Sequence, residues 1–212
     1  MTGTDTGVGK TVAACALLRA HAVRGLRAVG MKPVASGIAV GAACNADVAA
    51  LAAAGNVLAP LEVRNPYAFA SAIAPHLAAR EAGVAIELAR IGAAYRDLAA
   101  RADRVVVEGA GGVLTPLDDE RDMLDIARTI GLPVLLIVGI RLGCLNHALL
   151  SAAAIRARGL ILAGWVANAI EPALPRFGEN VATLERRLGA PRLATLAWDE
   201  AATPRWTGAT VP

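Results

Sequence analysis

The segment from Gly3 to Thr11, Gly-Thr-Asp-Thr-Gly-Val-Gly-Lys-Thr, has the composition of a phosphate-binding loop. Its glycines allow left-handed backbone angles and bring amide N–H groups close to phosphate oxygens, and a helix that begins here adds the positive end of its dipole. Lys10 is placed to reach the β- and γ-phosphates, and the Thr11 hydroxyl to complete a Mg²⁺ coordination sphere. The spacing is a variant, because Thr4 stands where the first glycine of G-x-x-x-x-G-K belongs. The alternative is an ordinary glycine-rich helix entry.

Three more charged residues are candidates for chemistry on a phosphate group. Lys32 ends a short strand, and a lysine there faces the crevice where open α/β sheets bind ligands, so it is a candidate second cation. Glu108 ends the run Val105-Val106-Val107 and precedes a glycine-rich turn, a place suited to holding Mg²⁺ near a nucleotide. Asp47 is either a further ligand or a charge in the first turn of a helix, and the residue alone leaves both readings open.

The hydrophobic pattern predicts the elements that must position these residues. Strands and helices alternate, and apolar runs without polar interruption are typical of strands buried on both faces of a parallel sheet. The predicted helices are 11–24, 45–54, 86–101, 146–158 and about 177–188, and the predicted strands are 27–31, 104–107, 132–140, 160–166 and about 192–197. Residues 34–46 are predicted as a loop and 62–74 as irregular structure. We therefore expect a single α/β domain over 1–212, an open, mostly parallel, doubly wound sheet with helices on both faces.

The start of this sheet is unusual. A phosphate-binding loop normally follows a buried strand, but only Met1 and Thr2 precede this one, so the first strand is expected to be truncated. Either the start has been placed too far downstream, which we favour, or the sheet has a gap with unpaired backbone groups. Adding about four to six upstream-encoded residues is then predicted to raise the thermal midpoint and the soluble yield.

The composition argues against several other classes. Hydrophobic residues make up 56% and charged residues 18%, a balance that excludes disorder, and aromatic residues at 3% are too few for the stacking platforms of single-strand nucleic-acid binders. The 21 basic residues are spread along the chain, which favours small anions over nucleic acid. No charge-free stretch reaches the roughly 18 residues of a membrane span, and the amino terminus lacks the pattern of a secretory signal. We expect a cytoplasmic protein.

Six segments together resemble dethiobiotin synthetase, and the resemblance extends over nearly the whole length, fading after about Ala190. These segments are 2–12, 32–37, 65–69, 107–112, 142–147 and 163–168. The resemblance implies a homodimeric P-loop enzyme that uses ATP and Mg²⁺ to carboxylate 7,8-diaminopelargonic acid and close the ureido ring of dethiobiotin, with release of ADP and phosphate. It implies that CO₂ forms a carbamate on one amine, that the carbamate attacks the γ-phosphate, and that the second amine displaces phosphate.

The resemblance also implies site roles. Lys10 and Lys32 neutralise the charge of the γ-phosphate and the carbamate, Thr6 and Ser36 orient the carbamate, and Thr11, Asp47 and Glu108 hold Mg²⁺. The implied nucleotide contacts are Gly7, Val8, Gly9, Lys10, Thr11, Val12, Asp47, Glu108, Gly109, Ala110, Gly111, Asn168, Ala197, Trp198 and Asp199. The diamine is expected near the subunit interface, with Asn146 reaching it from the partner chain. Asn146 is equally compatible with an N-cap of the helix that follows.

Three alternatives remain at this point. A partitioning-type ATPase that switches on DNA or membrane carries an extra lysine early in the loop, where this chain has Thr4, Asp5 and Thr6. A glutamine-fed cobyrinate amidating ligase needs an amidotransferase domain that does not fit in 212 residues. A nucleotide-binding remnant without turnover is suggested by the truncated first strand.

Overall fold

The structure, a computed structural model, describes residues 1–198 and the backbone of residues 205–206. Over these residues strands and helices alternate. The strands are β1 Thr2–Gly3, β2 Ala28–Met31, β3 Val34–Ser36, β4 Tyr67–Phe69, β5 Arg104–Val107, β6 Val134–Ile140, β7 Leu162–Ala169, β8 Arg192–Leu196 and β9 Arg205–Trp206. The helices are α1 Lys10–Val23, α2 Ala46–Ala54, α3 Leu61–Arg64, α4 Pro75–Glu81, α5 Leu88–Arg101, α6 Met123–Ile130, α7 Cys144–Ala157 and α8 Phe177–Arg187.

The strands form an open sheet that is parallel except at one edge. β1, β6, β7 and β8 follow one another in parallel, and β9 pairs antiparallel with β8. β2 and β5 form a parallel pair. The backbone of Met1 connects the two groups, since its amino group donates to the Val107 carbonyl at 2.6 Å and its carbonyl accepts from the Gly109 N–H at 3.0 Å. β1 therefore lies between β5 and β6, and the expected α/β architecture is confirmed.

Both faces of the sheet are covered, and the strand β6 shows why. Leu136, Val138 and Ile140 pack with α7 and α8, whereas Leu135 and Ile137 pack with α1. A strand buried on both faces needs apolar residues at every position, which explains the uninterrupted run in the sequence. Among the described residues, no helix is long and apolar enough to cross a membrane.

Some local expectations were wrong. Residues 34–46 are not all loop, because β3 pairs with β4, and residues 62–74 contain β4 and the last three residues of α3. These elements have three or four residues each, too few to show a period, and pairing rather than pattern defines them. Asn146 is not an N-cap, because α7 begins after Gly143. The strand that precedes the phosphate-binding loop, β1, has two residues in the structure.

Candidate active site

The phosphate-binding loop connects β1 to α1 and has the backbone geometry that its glycines predict. Gly7 and Gly9 have φ angles of 73° and 85°, in the left-handed region that disfavours other residues. Gly9 is also the N-cap of α1, so the amides of the first helical turn, which have no partner within the helix, lie beside the loop. Backbone N–H groups and a helix amino terminus thus converge where an anion would bind.

Asn168, at the carboxyl end of β7, forms a hydrogen bond to the backbone of this loop. Its buried side-chain Nδ2 donates to the Val8 carbonyl at 2.8 Å. The approach is so close that a Cβ on Gly9 would lie 2.1 Å from Nδ2. Asn168 therefore fixes the position of the loop, and its contact with adenine stays a prediction.

Lys10 is the first residue of α1, and its side chain is buried under the loop. Its Nζ donates to the backbone carbonyl of Asp5 at 2.8 Å and forms no ion pair among the described residues. Burial, with a smaller contribution from the charge of Lys32, lowers the pKa of Lys10 to about 8. Lys10 is thus a positive charge without a close partner, held where the loop amides converge.

Lys32 lies just after β2 and is equally buried, but it has two partners. Its Nζ contacts Glu108 Oε1 at 2.6 Å and Asp47 Oδ2 at 2.7 Å, although these residues are far apart in the sequence. Burial acts to lower the pKa of Lys32, but the charge of Glu108 and the hydrogen bonds to both carboxylates outweigh it, and the pKa is raised. Burial likewise acts to raise the pKa of Asp47, and its hydrogen bond to Lys32 outweighs that effect and lowers it.

The side chains expected to hold Mg²⁺ lie together beside Lys32. Thr11 Oγ1 donates to Glu108 Oε1 at 2.8 Å, and Glu108 is fully buried at the end of β5. The second oxygen of Glu108, Oε2, is buried and has no hydrogen-bond partner among the described residues. A buried, unpaired carboxylate oxygen beside a hydroxyl and a second carboxylate is a donor set that fits Mg²⁺.

Two buried asparagines position these groups, and sequence reasoning missed both. Asn45 caps α2 by accepting from the Asp47 N–H at 2.9 Å, and its Nδ2 donates to the carbonyls of Ser36 and Gly37 at 3.1 Å. Asn65 Nδ2 donates to the Lys32 carbonyl at 2.6 Å. An asparagine before a helix is a signal that could have identified Asn45. Nothing in the local sequence singles out Asn65.

A salt bridge that the sequence did not predict holds the outer side of the loop. Arg141 follows β6, and its guanidinium contacts Asp5 Oδ2 at 2.6 Å. The glycine-rich turn after β5 lies on the other side, where Gly112 forms a parallel bridge with Gly3. Gly111 has a φ angle of 63°, so the turn uses its glycines to pass close to the loop.

The remaining predicted residues lie at varied depths. Ser36 ends β3, and its hydroxyl is buried with no partner among the described residues, so its contact with a substrate stays a prediction. Among the predicted site residues that the structure describes, the ones with exposed side chains are Thr6, Val12, Asn146, Ala197 and Trp198. Asp199 lies outside the described residues, so its predicted nucleotide contact has no structural counterpart here.

Known proteins similar to this chain show the family to which it belongs. A family model described as an AAA domain matches residues 1–205. The chain is 53% identical to the ATP-dependent dethiobiotin synthetase BioD of Nitrosospira multiformis, over 94% of this chain and 88% of that protein. It is 50% identical to the protein of the same name from Aromatoleum aromaticum, over 100% of this chain and 95% of that protein. The chain belongs to the dethiobiotin synthetase family.

More distant structures share the fold with this synthetase. The signal recognition particle receptor FtsY of Elizabethkingia anophelis matches with a TM-score of 0.58 and 14% identity, over 98% of this chain and 60% of that one. The MinC:MinD complex of Aquifex aeolicus matches with a TM-score of 0.57 and 13% identity, over 93% and 80% of the chains. At this identity the likeness shows the fold alone. The much closer relatives make the synthetase a ligase that forms a C–N bond, and do not favour the partitioning-type ATPase.

Proposed function

We propose that this synthetase closes the ureido ring of dethiobiotin on the Lys10–Lys32 cluster, from 7,8-diaminopelargonic acid, CO₂ and ATP. One observation carries the proposal: Glu108 Oε1 accepts from Lys32 Nζ at 2.6 Å and from Thr11 Oγ1 at 2.8 Å, so it joins the buried Lys32 to the helix start that carries the buried Lys10. The reaction brings together two anions, the carbamate of the substrate and the γ-phosphate of ATP. Each anion needs a cation beside it. A protein catalyses phosphoryl transfer mainly by positioning the reactants and neutralising their charge.

The two lysines have separate roles in this proposal. Lys10, which has no carboxylate partner at hydrogen-bonding distance in the described part of the chain, binds the γ-phosphate together with the loop amides. Lys32, held between Glu108 and Asp47, stays protonated and stabilises the charge that develops as the carbamate oxygen attacks phosphorus. The exposed Thr6 and the unpaired hydroxyl of Ser36 orient the carbamate. The attack on phosphorus breaks its bond to the leaving ADP oxygen and gives a carbamic–phosphoric anhydride. The second amine then attacks the anhydride carbon, phosphate leaves, and the amine loses a proton as the ring closes.

Thr11, Asp47 and Glu108 would hold Mg²⁺ in the same site. When bound, the ion neutralises charge on the β- and γ-phosphates. The unpaired Oε2 of Glu108 supports this assignment, because a buried carboxylate oxygen without a partner is unfavourable unless a cation reaches it.

We also propose a homodimer, with α7 at the interface. Asn146 is exposed near the start of α7, and two large apolar side chains on either side of it are exposed as well, Leu142 at 96% and Leu150 at 61%. A contact across this face would cover both leucines and carry Asn146 into the partner's site.

We propose a cytoplasmic location, which the three free cysteines support. We also propose that residues 1–212 form one domain.

The test is ADP release by the purified protein with ATP, Mg²⁺, bicarbonate and the diamine. We expect release to depend on the diamine, and the dethiobiotin formed to match the ADP. ADP release that does not depend on the diamine would favour a nucleotide switch. The absence of ADP release would favour a remnant that only binds nucleotide.

Lys32→Ala separates the roles of the two lysines. Removal of a group aimed at developing charge is expected to lower kcat by about 10²–10³-fold while ATP binding stays largely intact. Arg186→Ala, which removes an exposed cation from α8, is the matched control and is expected to change neither quantity. Equal losses in kcat and in ATP affinity would contradict the role given to Lys32.

A further inference from the structure

The salt bridge between Asp5 and Arg141 connects the phosphate-binding loop to the start of α7. β1 and β6 are neighbouring parallel strands, with Gly3 opposite Ile137, so the residues that follow their carboxyl ends lie side by side. The Arg141 guanidinium reaches Asp5 Oδ2 at 2.6 Å. The backbone carbonyl of Arg141 accepts from the Cys144 N–H at 3.0 Å, in the turn that begins α7. Arg141 therefore contacts both the loop and the helix start.

Asp5 holds two of the groups to which the proposed reaction gives a role. Its backbone carbonyl accepts from Lys10 Nζ at 2.8 Å, and its Oδ1 accepts from the Thr6 N–H at 2.7 Å. Its Oδ2 accepts from Arg141. In the part of the chain that the structure describes, Arg141 is the one residue outside the loop whose side chain forms a hydrogen bond to residues 5–7. The position of Asp5, and of the two groups it holds, therefore depends on Arg141.

This ion pair matters more for the geometry of the loop than for the stability of the fold. Its side chains are 37% and 47% exposed, and ion pairs in such surroundings contribute little to the free energy of unfolding. A displacement of about 1 Å at a reacting group, in contrast, can slow a reaction by about 100-fold. The loop has other anchors, since the Thr4 N–H donates to the Ile137 carbonyl and Asn168 donates to the Val8 carbonyl. Loss of the Arg141 contact is therefore expected to shift the segment between these anchors without unfolding the protein.

We propose that Arg141 is a positioning residue for the phosphoryl transfer and acts through Asp5. By fixing Asp5, it holds the Lys10 ammonium in place for the γ-phosphate and the Thr6 backbone in place for the carbamate. This inference rests on the proposed function, which assigns Lys10 and Thr6 to those two anions. Arg141 itself contacts neither anion in this role. Because its backbone forms the turn that begins α7, it also fixes the loop relative to the helix that carries Asn146.

The first test measures diamine-dependent ADP release by Arg141→Gln, Arg141→Lys and a control. Arg141→Gln is expected to lower kcat at least about tenfold, by more than it raises the KM for ATP. Its thermal midpoint is expected to change by less than about 2 °C. Lysine keeps the charge that Asp5 binds, so Arg141→Lys is expected to recover most of the rate. Arg27→Gln is the matched control, because Arg27 forms a similar ion pair with Asp103 at the opposite ends of the strands, and it is expected to keep the wild-type kcat.

A double variant shows whether Arg141 acts through Asp5. Asp5→Asn removes the charged partner of Arg141 and keeps an oxygen that accepts from the Thr6 N–H. If Arg141 acts through Asp5, adding Arg141→Gln to Asp5→Asn lowers kcat no further. Losses that multiply would show that Arg141 acts on the reactants independently of Asp5. A double variant with the wild-type kcat would show that Arg141 only neutralises the charge of Asp5. Either result would overturn the proposal.

A measurement without turnover separates this inference from the proposed function. In protein labelled with ¹³C at lysine, Arg141→Gln is expected to shift the Cε signal of Lys10 and to leave that of Lys32 in place, and Arg27→Gln is expected to shift neither. A wild type without diamine-dependent ADP release would refute the proposed function, and the Lys10 signal would still test the link from Arg141 to Lys10. An unmoved Lys10 signal, or the wild-type kcat in Arg141→Gln, would overturn the positioning role.

Discussion

Replacing Lys10 with methionine is expected to stabilise the fold at neutral pH and to abolish ATP-dependent turnover. The ammonium group of Lys10 is buried, and among residues 1–198 its Nζ contacts only a backbone carbonyl, that of Asp5, at hydrogen-bonding distance. Burial of this charge is unfavourable and lowers the pKa of Lys10, and the carboxylates of Glu108, Asp47 and Asp5 offset that effect only in part. Methionine keeps a similar length and apolar volume and removes the charge.

The lowered pKa of Lys10 gives the size of the effect. A shift from 10.5 to about 8 corresponds to about 3 kcal/mol of penalty on the charged form. The variant also loses the hydrogen bond to the Asp5 carbonyl, about 1 kcal/mol, which leaves a net gain of about 2 kcal/mol. For a domain of this size that gain raises the thermal midpoint by about 4–8 °C.

The gain is expected to depend on pH. Because the pKa of Lys10 is lower in the folded state, the unfolded state binds more protons between pH 8 and 10.5. The free-energy penalty of burying charged Lys10 is present in full below pH 8. It disappears as the pH rises to 10.5, so the free energy of unfolding of the wild type increases over this range. The difference in midpoint between variant and wild type is therefore expected to be largest at pH 7 and to shrink towards pH 10.5.

The sequence makes a direct assay possible, because Lys10 and Lys32 are the only two lysines in the chain. A protein labelled with ¹³C-lysine gives two side-chain Cε signals, and their titration gives each pKa separately. We expect one pKa near 8 and the other above the ordinary value of lysine. Two ordinary values, or a variant less stable than the wild type at pH 7, would refute the reasoning.

Two further predictions test other parts of the site. Lys32→Met leaves the fully buried Glu108 without its cation, so this variant is expected to lower the free energy of unfolding by about 3–5 kcal/mol. In a thermal melt the double variant with Glu108→Gln is expected to recover most of that loss. A double variant as unstable as the single one would show that the ion pair is not the cause. Gly9→Ala is expected to weaken ATP binding at least about tenfold by calorimetry, because the new Cβ meets Asn168 and displaces the loop. Gly25→Ala has a similar positive φ with open space around it, so it reports the backbone strain alone and should leave ATP binding unchanged.

The parts of the structure that the sequence predicted are those with a local cause. The apolar run of β6 reflects burial on both faces, and the glycines before Lys10 reflect left-handed backbone angles, so each can be recognised without knowledge of the rest of the chain. β3 and β4 have no such pattern. They form because Val34–Ser36 pairs in parallel with Tyr67–Phe69. A pairing between segments about thirty residues apart cannot be recognised from three residues at each end.

The same limit applies to the site. Lys32, Asp47 and Glu108 were each identified from local position, at a strand end or a helix start. Their hydrogen bonds, which join residues 15 and 76 positions apart, come from the order of the strands. The pKa directions follow from those contacts and not from the residue types, so two lysines in equally buried positions have opposite shifts.

That contrast explains why the two cations are lysines in a chain whose other basic residues are all arginines. An arginine stays charged in any surroundings, and its planar, forked head suits bidentate partners. A lysine is a compact charge whose pKa responds to its neighbours, so one fold can hold Lys32 firmly protonated between two carboxylates and leave Lys10 with its positive charge unmatched. The unmatched charge destabilises the empty loop, and a bound phosphate removes that penalty. The ATP that the loop binds is expected to stabilise the wild type more than Lys10→Met for this reason, by an amount that falls as the pH approaches 10.5.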